Sequence, residues 1–280
     1  MNIVFMGTPE FSLPTLHKLY ESDHDILLVV TQPDRPKGRG RESTPPPVKQ
    51  FALEKKIPVL QPIKCTNLEI VKTLGALNAD VFIVVAFGQI LDKNLLALPH
   101  HFCINLHSSL LPKYRGAAPI NWAIINGETE TGVTTMKMNA GLDTGDILLS
   151  RKVPIRNKDD AQSLHDTLAH QGSSLVMETL NQLDSGSLEA TSQNSDLASY
   201  APKLKKEDGL IKWNQPAVKI HNLVRGLMPW PGAFSFLGSK RLKICKTETK
   251  SCDLSDQPGV ILRISGHGIE VGTQKERIVI

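Results

Sequence analysis

Three polar side chains in the middle of the chain have the chemistry of an acyl-transfer site. Asn105 and His107 stand two residues apart in the run NLHSSLLP, and Asp143 follows in the glycine-flanked run GLDTGD. An amide can donate to a developing oxyanion, an imidazole titrates near neutral pH, and a carboxylate can orient or charge that imidazole. Together the three residue types suit the transfer of an acyl group to an amine.

Each of these residues also has an ordinary structural interpretation. A single histidine at a strand end is usually a hydrogen-bonded structural group, and Asn and Asp are common in turns. Ser108 or Ser109 would complete a serine triad with His107 and Asp143, but no GxSxG elbow accompanies the serines, which weakens that hypothesis. GxGxxG is absent after the first apolar run and no P-loop occurs, so NAD and ATP chemistry are disfavoured.

Alternating strand and helix patterns over the first two hundred residues predict the scaffold that positions these side chains. Continuous apolar runs predict buried strands at residues 3–6, 26–31, 58–61, 80–86 and 103–107. Helical patterns separate them, including a helix that runs to Tyr20 and a long amphipathic one over residues 159–183. We therefore predict an α/β fold whose mostly parallel sheet is covered on both faces. Asn105 and His107 then share one side at a carboxyl strand end, where such sheets bind ligands.

A different pattern begins at Lys203 and predicts a second domain. A helix near residues 218–225 and a turn-rich joint at 228–234 precede short alternating strands at 233–237, 241–247, 260–264, 269–271 and 278–280. Strands this short, separated by glycine-containing turns, predict a small β-barrel. We divide the chain into domains of residues 1–202 and 203–280. The last strand has no closing segment after Ile280, so we expect a barrel that is minimal or incomplete at its end.

Positive charge is concentrated in two places. The chain carries a net charge of +4, but residues 203–280 hold 14 Lys and Arg against 7 Asp and Glu (+7), while residues 1–202 hold 18 against 21 (−3). The segment 32–50 contains five of the eighteen prolines and five cations, four of which are clustered at Arg35, Lys37, Arg39 and Arg41. Both features are typical of a solvated face or a flexible loop; alternatively, they indicate a polyanionic partner, nucleic acid foremost.

Cysteine spacing and hydropathy exclude several classes of protein. Cys65, Cys103, Cys245 and Cys252 form no CxxC pair and no zinc-like spacing with histidine, which argues against structural zinc or a disulfide scaffold. The longest uncharged apolar run, residues 81–91, is about half the length of a membrane-spanning helix. The opening residues lack the basic region of a signal peptide. We expect a soluble, cytoplasmic, metal-free protein, and nothing demands more than a monomer.

The sequence around the three polar residues resembles the folate-dependent formyltransferases. The run from Asn105 to Thr134 and the run GLDTGD contain that family's HxSLLP element, the RG pair that follows it and the later aspartate, in order and spacing. The resemblance implies a Rossmann-like catalytic domain, 10-formyltetrahydrofolate as co-substrate, and Asn105, His107 and Asp143 as catalytic residues. It also implies a folate pocket, formed by Ala86, Phe87, Gly88, Gln89, Ile90, Ser108, Leu110, Pro112, Gly141 and Leu142.

Within this family, the resemblance is greatest to members that act on methionyl initiator tRNA. The opening MNIVFMGTPEFSLPTL, the basic segment from Thr31 to Lys49 and the run from Trp213 to Phe234 carry it. It implies that Arg35, Lys37, Arg39 and Arg41 contact tRNA and that residues 203–280 form an OB-like, tRNA-contacting barrel. The implied reaction formylates the α-amino group of the tRNA-bound methionine. Two alternatives stay open: a formyltransferase for a small amine, such as glycinamide ribonucleotide or an amino sugar nucleotide, and a non-catalytic RNA-binding protein.

Overall fold

The computed structural model of the protein describes residues 1–37, 42–251 and 256–280. The chain forms two compact units, each assembled from several stretches of sequence. The first unit consists of Met1–Arg115, Gly132–Val153 and Asp166–Ser199. The second consists of Gly116–Thr131, Pro154–His165 and Tyr200–Ile280. Because the units interleave along the chain, the division at 202/203 stays a prediction.

Strands and helices alternate through most of the chain, as the hydrophobic patterns predict. The strands are β1 (Asn2–Gly7), β2 (Asp25–Val30), β3 (Arg35–Lys37), β4 (Glu42–Thr44), β5 (Val59–Leu60), β6 (Val81–Val85), β7 (Cys103–His107), β8 (Arg115–Gly116), β9 (Glu130–Lys137), β10 (Ile147–Pro154), β11 (Tyr200–Ala201), β12 (Ala233–Leu237), β13 (Lys240–Ile244), β14 (Glu248–Lys250), β15 (Ile261–Ser265), β16 (Gly268–Gly272) and β17 (Arg277–Val279). The helices are α1 (Leu13–Tyr20), α2 (Pro47–Glu54), α3 (Leu68–Gly75), α4 (Lys93–Leu96), α5 (Pro119–Ile125), α6 (Ala161–Asp184) and α7 (Ala217–Gly226).

A seven-stranded sheet in the order β10-β9-β7-β6-β1-β2-β5 forms the centre of the first unit. β1, β2, β5, β6 and β7 are parallel, and β9 is antiparallel to β7. Every residue of β6 is buried, as expected for a parallel strand with both faces covered. The predicted Rossmann-like fold with a mostly parallel sheet is confirmed. β9 and β10 were not among the predicted strands.

One face of this sheet packs into an apolar core that follows the two-residue period of the strands. Val4 and Met6 of β1 lie in one cluster with Phe82 and Val84 of β6. Because side chains alternate across a strand, the residues between them point to the opposite face. The same alternation places Asn105 and His107 of β7 on one side of the sheet.

The second unit contains short antiparallel strands, as predicted. β14, β17, β16 and β15 form a four-stranded sheet, and β12 and β13 form a separate hairpin. Helix α7 contributes Ile220 and Val224 to a core shared with the strand residues Ala233 and Ile244. The single strand predicted over residues 241–247 is wrong. β13 ends where Ile244 meets Ala233, the first residue of its hairpin partner, and the chain then pairs with β17 from Glu248 onward.

The basic segment 32–50 contains local structure that the sequence did not predict. β3 and β4 pair as an antiparallel hairpin in which Arg35 faces Thr44 and Lys37 faces Glu42. Helix α2 begins directly afterwards at Pro47, whose fixed φ suits the first turn of a helix. Two of the predicted tRNA contacts, Arg39 and Arg41, lie outside the described residues.

Candidate active site

Asn105 lies in the middle of β7, where the sheet holds its backbone from both sides. It pairs with Val84 of β6 and with Met136 of β9. Its side chain is half-buried and has no hydrogen-bond partner among the described residues. A half-buried amide with unused donors can bind a substrate oxygen, because part of its desolvation cost is already met on folding.

The imidazole of His107, at the end of β7, is held in one orientation. Its side chain is buried, and Nε2 lies 2.9 Å from the carbonyl oxygen of Tyr114. A carbonyl oxygen only accepts, so Nε2 carries the hydrogen. Nδ1 faces the carboxylate of Asp143, with 3.7 Å between Nδ1 and Oδ2. Both side chains are largely shielded from solvent, being 7% and 14% exposed. When Nδ1 is protonated, the two groups attract each other with little screening by water.

Asp143 reaches this position because its backbone is turned into the left-handed region, with φ of 52°. The loop around it closes on the side chain of Asn139, whose Oδ1 accepts from the Gly141 amide at 3.0 Å and from the Thr144 hydroxyl at 2.8 Å. A Cβ at Gly145 would overlap the carbonyl oxygen of Lys137, so only glycine fits there. The glycines that flank Asp143 therefore let the loop fold back and present the carboxylate.

The sequence does not predict two residues that contact the candidate catalytic pair, Tyr114 and Gln193. Tyr114 acts through its carbonyl oxygen, and a backbone carbonyl leaves no trace in the residue type. Gln193 lies fifty residues after Asp143, and its Nε2 donates to the carbonyl oxygens of Asp143 at 2.9 Å and Gly145 at 2.7 Å. No motif connects residues so far apart in sequence, so only the fold reveals this contact.

The predicted folate loop begins at the same sheet edge as His107. β6 and β7 are parallel neighbours, and Val85 pairs with Leu106, so residues 86–90 leave the sheet beside the histidine. The side chain of Phe87 is buried. Gln89 holds the loop from inside: its Oε1 accepts from the Cys65 amide at 2.8 Å and its Nε2 donates to the Pro62 carbonyl at 2.9 Å. These two side chains are structural supports of the loop.

The other predicted folate residues are more accessible. Ala86, Gly88 and Ile90 are exposed, and Ile90 is 84% exposed. Leu142, beside Asp143, is 64% exposed. The remaining members are Gly141, which is exposed, and Ser108, Leu110 and Pro112, which are half-buried. Exposed apolar side chains next to a polar site are typical of a surface that an apolar part of a ligand covers.

The base of the basic hairpin β3–β4 is fixed by a polar cluster. Asp34 accepts from Lys49 Nζ and from Gln61 Nε2, each at 2.7 Å. The hydrogen bond from Gln61, followed by that from Lys49, lowers the pKa of Asp34 below its usual value. Arg35 is exposed, and its Nη2 donates to Gln32 Oε1 at 3.0 Å. The cluster thus anchors the two ends of the hairpin, while Arg35 faces solvent.

Comparison with known protein families decides the classification of the chain. A family model described as formyl transferase matches residues 1–180, and a model described as the formyl transferase C-terminal domain matches residues 203–280. The chain belongs to the formyl transferase family. The resemblance proposed from the sequence is confirmed, and the three candidate catalytic residues all lie within the N-terminal match.

Relatives match the chain along its whole length. A methionyl-tRNA formyltransferase of Geobacter sulfurreducens is 53% identical over 280 residues, which cover all of this chain and 88% of the relative. One from Citrifermentans bemidjiense is 54% identical, again over all of this chain and 87% of the relative. Both catalytic and C-terminal parts are therefore shared with enzymes of that name.

Solved structures of two other proteins share the fold. WlaRD, a sugar 3N-formyl transferase solved in the presence of dTDP and 5-N-formyl-THF, has a TM-score of 0.74 at 20% identity, over all of this chain and 96% of that one. HypX from Aquifex aeolicus, solved in complex with tetrahydrofolic acid, has a TM-score of 0.67 at 20% identity, over 99% of this chain and 43% of that one.

The described residues contain neither a candidate membrane-spanning helix nor a candidate metal-binding cluster. No helix among them combines the length and apolarity that crossing a bilayer requires. No group of three or more His, Cys, Asp or Glu side chains among them is arranged to hold a metal ion.

Proposed function

We propose that this formyl transferase moves the formyl group of 10-formyltetrahydrofolate to the α-amino group of methionyl initiator tRNA, giving N-formylmethionyl-tRNA. The observation that carries the choice of substrate is the full-length match, at 53% identity, to enzymes named methionyl-tRNA formyltransferase. The solved sugar formyl transferase shares only 20% identity, so it supports the fold and not the substrate.

Three residues carry the chemistry in this proposal. The amine attacks the formyl carbon, and the negative charge that develops on the formyl oxygen needs a donor. Asn105 supplies it, because its amide is half-buried and has no partner among the described residues. Once His107 carries a second proton, it adds positive charge beside that oxygen, and Asp143, 3.7 Å from Nδ1, holds the imidazole and attracts that charge.

Only one ring nitrogen of His107 is available for proton transfer in this proposal. Nε2 is committed to the Tyr114 carbonyl at 2.9 Å, so Nδ1 is the ring atom that can exchange a proton without breaking that bond. Three groups can accept the proton of the amine: Nδ1 of His107, the carboxylate of Asp143, and water. The same pair can return a proton to N10 of the folate as it leaves. The mechanism requires no metal ion.

The folate occupies the sheet edge beside His107 in this proposal. Exposed Ile90 and Leu142 cover the apolar part of the ligand, and the backbone of the loop at residues 86–90 supplies polar groups. The other proposed contacts are Ala86, Phe87, Gly88, Gln89, Ser108, Leu110, Pro112 and Gly141. Phe87 and Gln89 contribute through the loop that they support, since their side chains are used inside the fold.

The tRNA is held by positive charge in this proposal. Arg35, Lys37, Arg39 and Arg41 of the basic segment contact its phosphates.

In the second unit, one face of the hairpin β12–β13 combines aromatic and basic side chains. Phe234 and Phe236 are two residues apart, and their cross-strand partners are Lys243 and Arg241. Phe236 is 55% exposed, and Arg241 lies 3.7 Å from the ring centroid of Phe234. Exposed rings beside cations suit stacking and phosphate contact with RNA.

A role in translation initiation fits a cytoplasmic location and a monomeric enzyme, which we include in the proposal. The decisive experiment offers charged initiator tRNA, glycinamide ribonucleotide and an amino sugar nucleotide in parallel, with 10-formyltetrahydrofolate as donor. Formylation of the tRNA alone supports the proposal. Formylation of a small amine alone keeps the catalytic trio and rejects the RNA substrate. Failure to bind folate, measured by fluorescence titration, would identify the non-catalytic RNA-binding alternative.

A further inference from the structure

Arg115 is a buried cation whose partner is a neutral amide. Arg115 is 3% exposed, and its Nε and Nη2 donate to Oε1 of Gln193 at 3.0 and 2.7 Å. A buried arginine usually pairs with a carboxylate, yet no salt bridge of Arg115 is found among the described residues. Two donors on one oxygen fix the orientation of the Gln193 amide, because its NH2 end cannot face the guanidinium.

The other end of that amide holds the loop that carries Asp143. Nε2 of Gln193 has two hydrogens, and it donates to the carbonyl oxygens of Asp143 at 2.9 Å and of Gly145 at 2.7 Å. These carbonyls flank Thr144, so the amide spans the turn. The backbone of Asp143 has a φ of 52°, a conformation that costs a residue with a Cβ energy unless its surroundings hold it. Gln193 supplies part of that support.

Arg115 and its neighbour Tyr114 connect both members of the catalytic pair. The Tyr114 carbonyl binds Nε2 of His107, and the Arg115 side chain binds Gln193, which binds the backbone of Asp143. Ser199 fixes this dipeptide: its hydroxyl accepts from the Tyr114 amide at 2.9 Å, and its carbonyl accepts from the Arg115 amide at 2.8 Å. One short segment therefore sets the position of the imidazole and, through two side chains, that of the carboxylate.

We propose that Arg115 and Gln193 are positioning residues of the formyl-transfer site: Arg115 orients the Gln193 amide, and that amide holds the Asp143 loop so that the carboxylate faces Nδ1 of His107. The proposal rests on the function proposed above for His107 and Asp143. Neither residue needs to touch a substrate. Their effect is on geometry, and a displacement of about 1 Å in a catalytic group can cost about 100-fold in rate.

The variant that tests the proposal is Gln193→Glu. A carboxylate has nearly the shape of the amide and still accepts from Arg115, so the buried cation keeps a partner. When ionised, it cannot donate to the carbonyls of Asp143 and Gly145. We expect a folded protein with a lowered melting temperature, because the loop loses two hydrogen bonds, a kcat reduced by about 10- to 100-fold, and KM values for both substrates within about threefold of wild type. Ser192→Ala is the matched control and should keep wild-type kcat, because among the described residues the Ser192 hydroxyl bonds only the Asp146 side chain of the same loop, at 3.0 Å.

A double-mutant cycle with Asp143→Asn separates positioning from a general structural role. If Gln193 acts through the Asp143 carboxylate, Gln193→Glu costs little once that carboxylate is gone, so its effect shrinks to less than about threefold in the Asp143→Asn background. Single-turnover measurements with enzyme in excess keep the slow variants measurable. An equal loss in both backgrounds, or wild-type kcat for Gln193→Glu alone, would overturn the proposal. Wild-type kcat for Asp143→Asn would instead reject the catalytic assignment on which the proposal rests.

A second variant covers the case in which Gln193→Glu does not fold. Arg115→Met combined with Gln193→Met removes the buried charge and the amide together and leaves apolar side chains of similar length, a replacement that is often tolerated. We expect a folded protein with the same loss of kcat and the same shrinkage in the Asp143→Asn background. A folded double variant with wild-type kcat would refute the positioning role.

Discussion

Replacing Asp143 by Asn removes the charge that faces His107 and leaves the loop intact. Asn has the size of Asp and tolerates the left-handed backbone better than most residues, so the φ of 52° is no obstacle. The carboxylate oxygen lies 3.7 Å from Nδ1. At that separation, the attraction between unit charges is about 1.1 kcal/mol in water and about 4.5 kcal/mol at an effective dielectric constant of about 20.

These two energies bound the expected loss of rate. If the imidazole is charged in the transition state, losing the attraction costs between about sixfold and about 2,000-fold in kcat. The side chains are only 7% and 14% exposed, which places the pair toward the upper end. We therefore expect kcat to fall by about 100- to 1,000-fold, with tRNA affinity nearly unchanged.

The assay measures the formation of N-formylmethionyl-tRNA from 10-formyltetrahydrofolate at saturating concentrations of both substrates. Asp146→Asn is the matched control, since Asp146 belongs to the same loop and accepts from Ser192, which an Asn side chain can also do. The kcat of Asp146→Asn should stay within about threefold of wild type, because the Asp146 carboxylate is paired with Ser192 and does not face His107. If Asp143→Asn matches that control, the charge on Asp143 does not assist the reaction and our account of the pair is refuted.

Three further perturbations test other parts of the molecule. Arg39→Ala should weaken tRNA use and reduce the slope of log Kd for tRNA against log salt by about one unit, whereas exposed Lys72→Ala should not; equal slopes would reject a phosphate contact. Burial, and then Arg225, lower the pKa of His221 below 6.5 in the folded protein. Because the His221 imidazole then binds a proton more tightly in the unfolded chain, the free energy of unfolding should fall as the pH drops below about 6.5. His221→Gln should flatten that decline in urea titrations, and an unchanged decline would contradict it. Burial raises the pKa of Cys103 to about 12, so in a Cys252→Ser variant the exposed Cys245 should be the one fast-reacting thiol; rapid labelling of Cys103 would show that its strand opens.

The five parallel strands of the first unit were predictable because buried strands leave continuous apolar runs in the sequence. A strand covered on both faces, such as β6, must be apolar at every position, and VFIVV is. β9 carries the run TGVTTM, in which buried threonines interrupt the apolar pattern. Its Thr134 and Thr135 are fully buried and hydrogen-bonded, by Ser109 and Thr179 among others, so polar residues stand where a pattern search expects apolar ones. The missed strand therefore has a physical cause.

The site was predictable to a smaller extent than the sheet. Asn105 and His107 follow from the two-residue period of a strand, and Asp143 from its place between glycines and from the family resemblance. Their supports do not follow, because a backbone carbonyl at Tyr114 and an amide at Gln193 become partners only through the fold. Residue type indicates which side chains can take part in the chemistry, whereas the groups that orient those side chains can be identified only from the folded structure.

Backbone strain gives an independent reason to place function at this edge of the sheet. Six non-glycine residues among those described have a positive φ, and three of them belong to the candidate site: Ala86 at 47°, Tyr114 at 60° and Asp143 at 52°. Each costs about 1 kcal/mol relative to ordinary backbone. Ala86 opens the predicted folate loop, Tyr114 presents its carbonyl to His107, and Asp143 presents its carboxylate. Glycine would relieve the strain at all three positions, but at Asp143 it would delete the carboxylate that faces His107. At Tyr114, whose side chain is buried, it would leave a cavity beside the carbonyl that orients the imidazole. At Asp143 and Tyr114, the candidate site thus combines an unusual backbone direction with a side chain that glycine lacks.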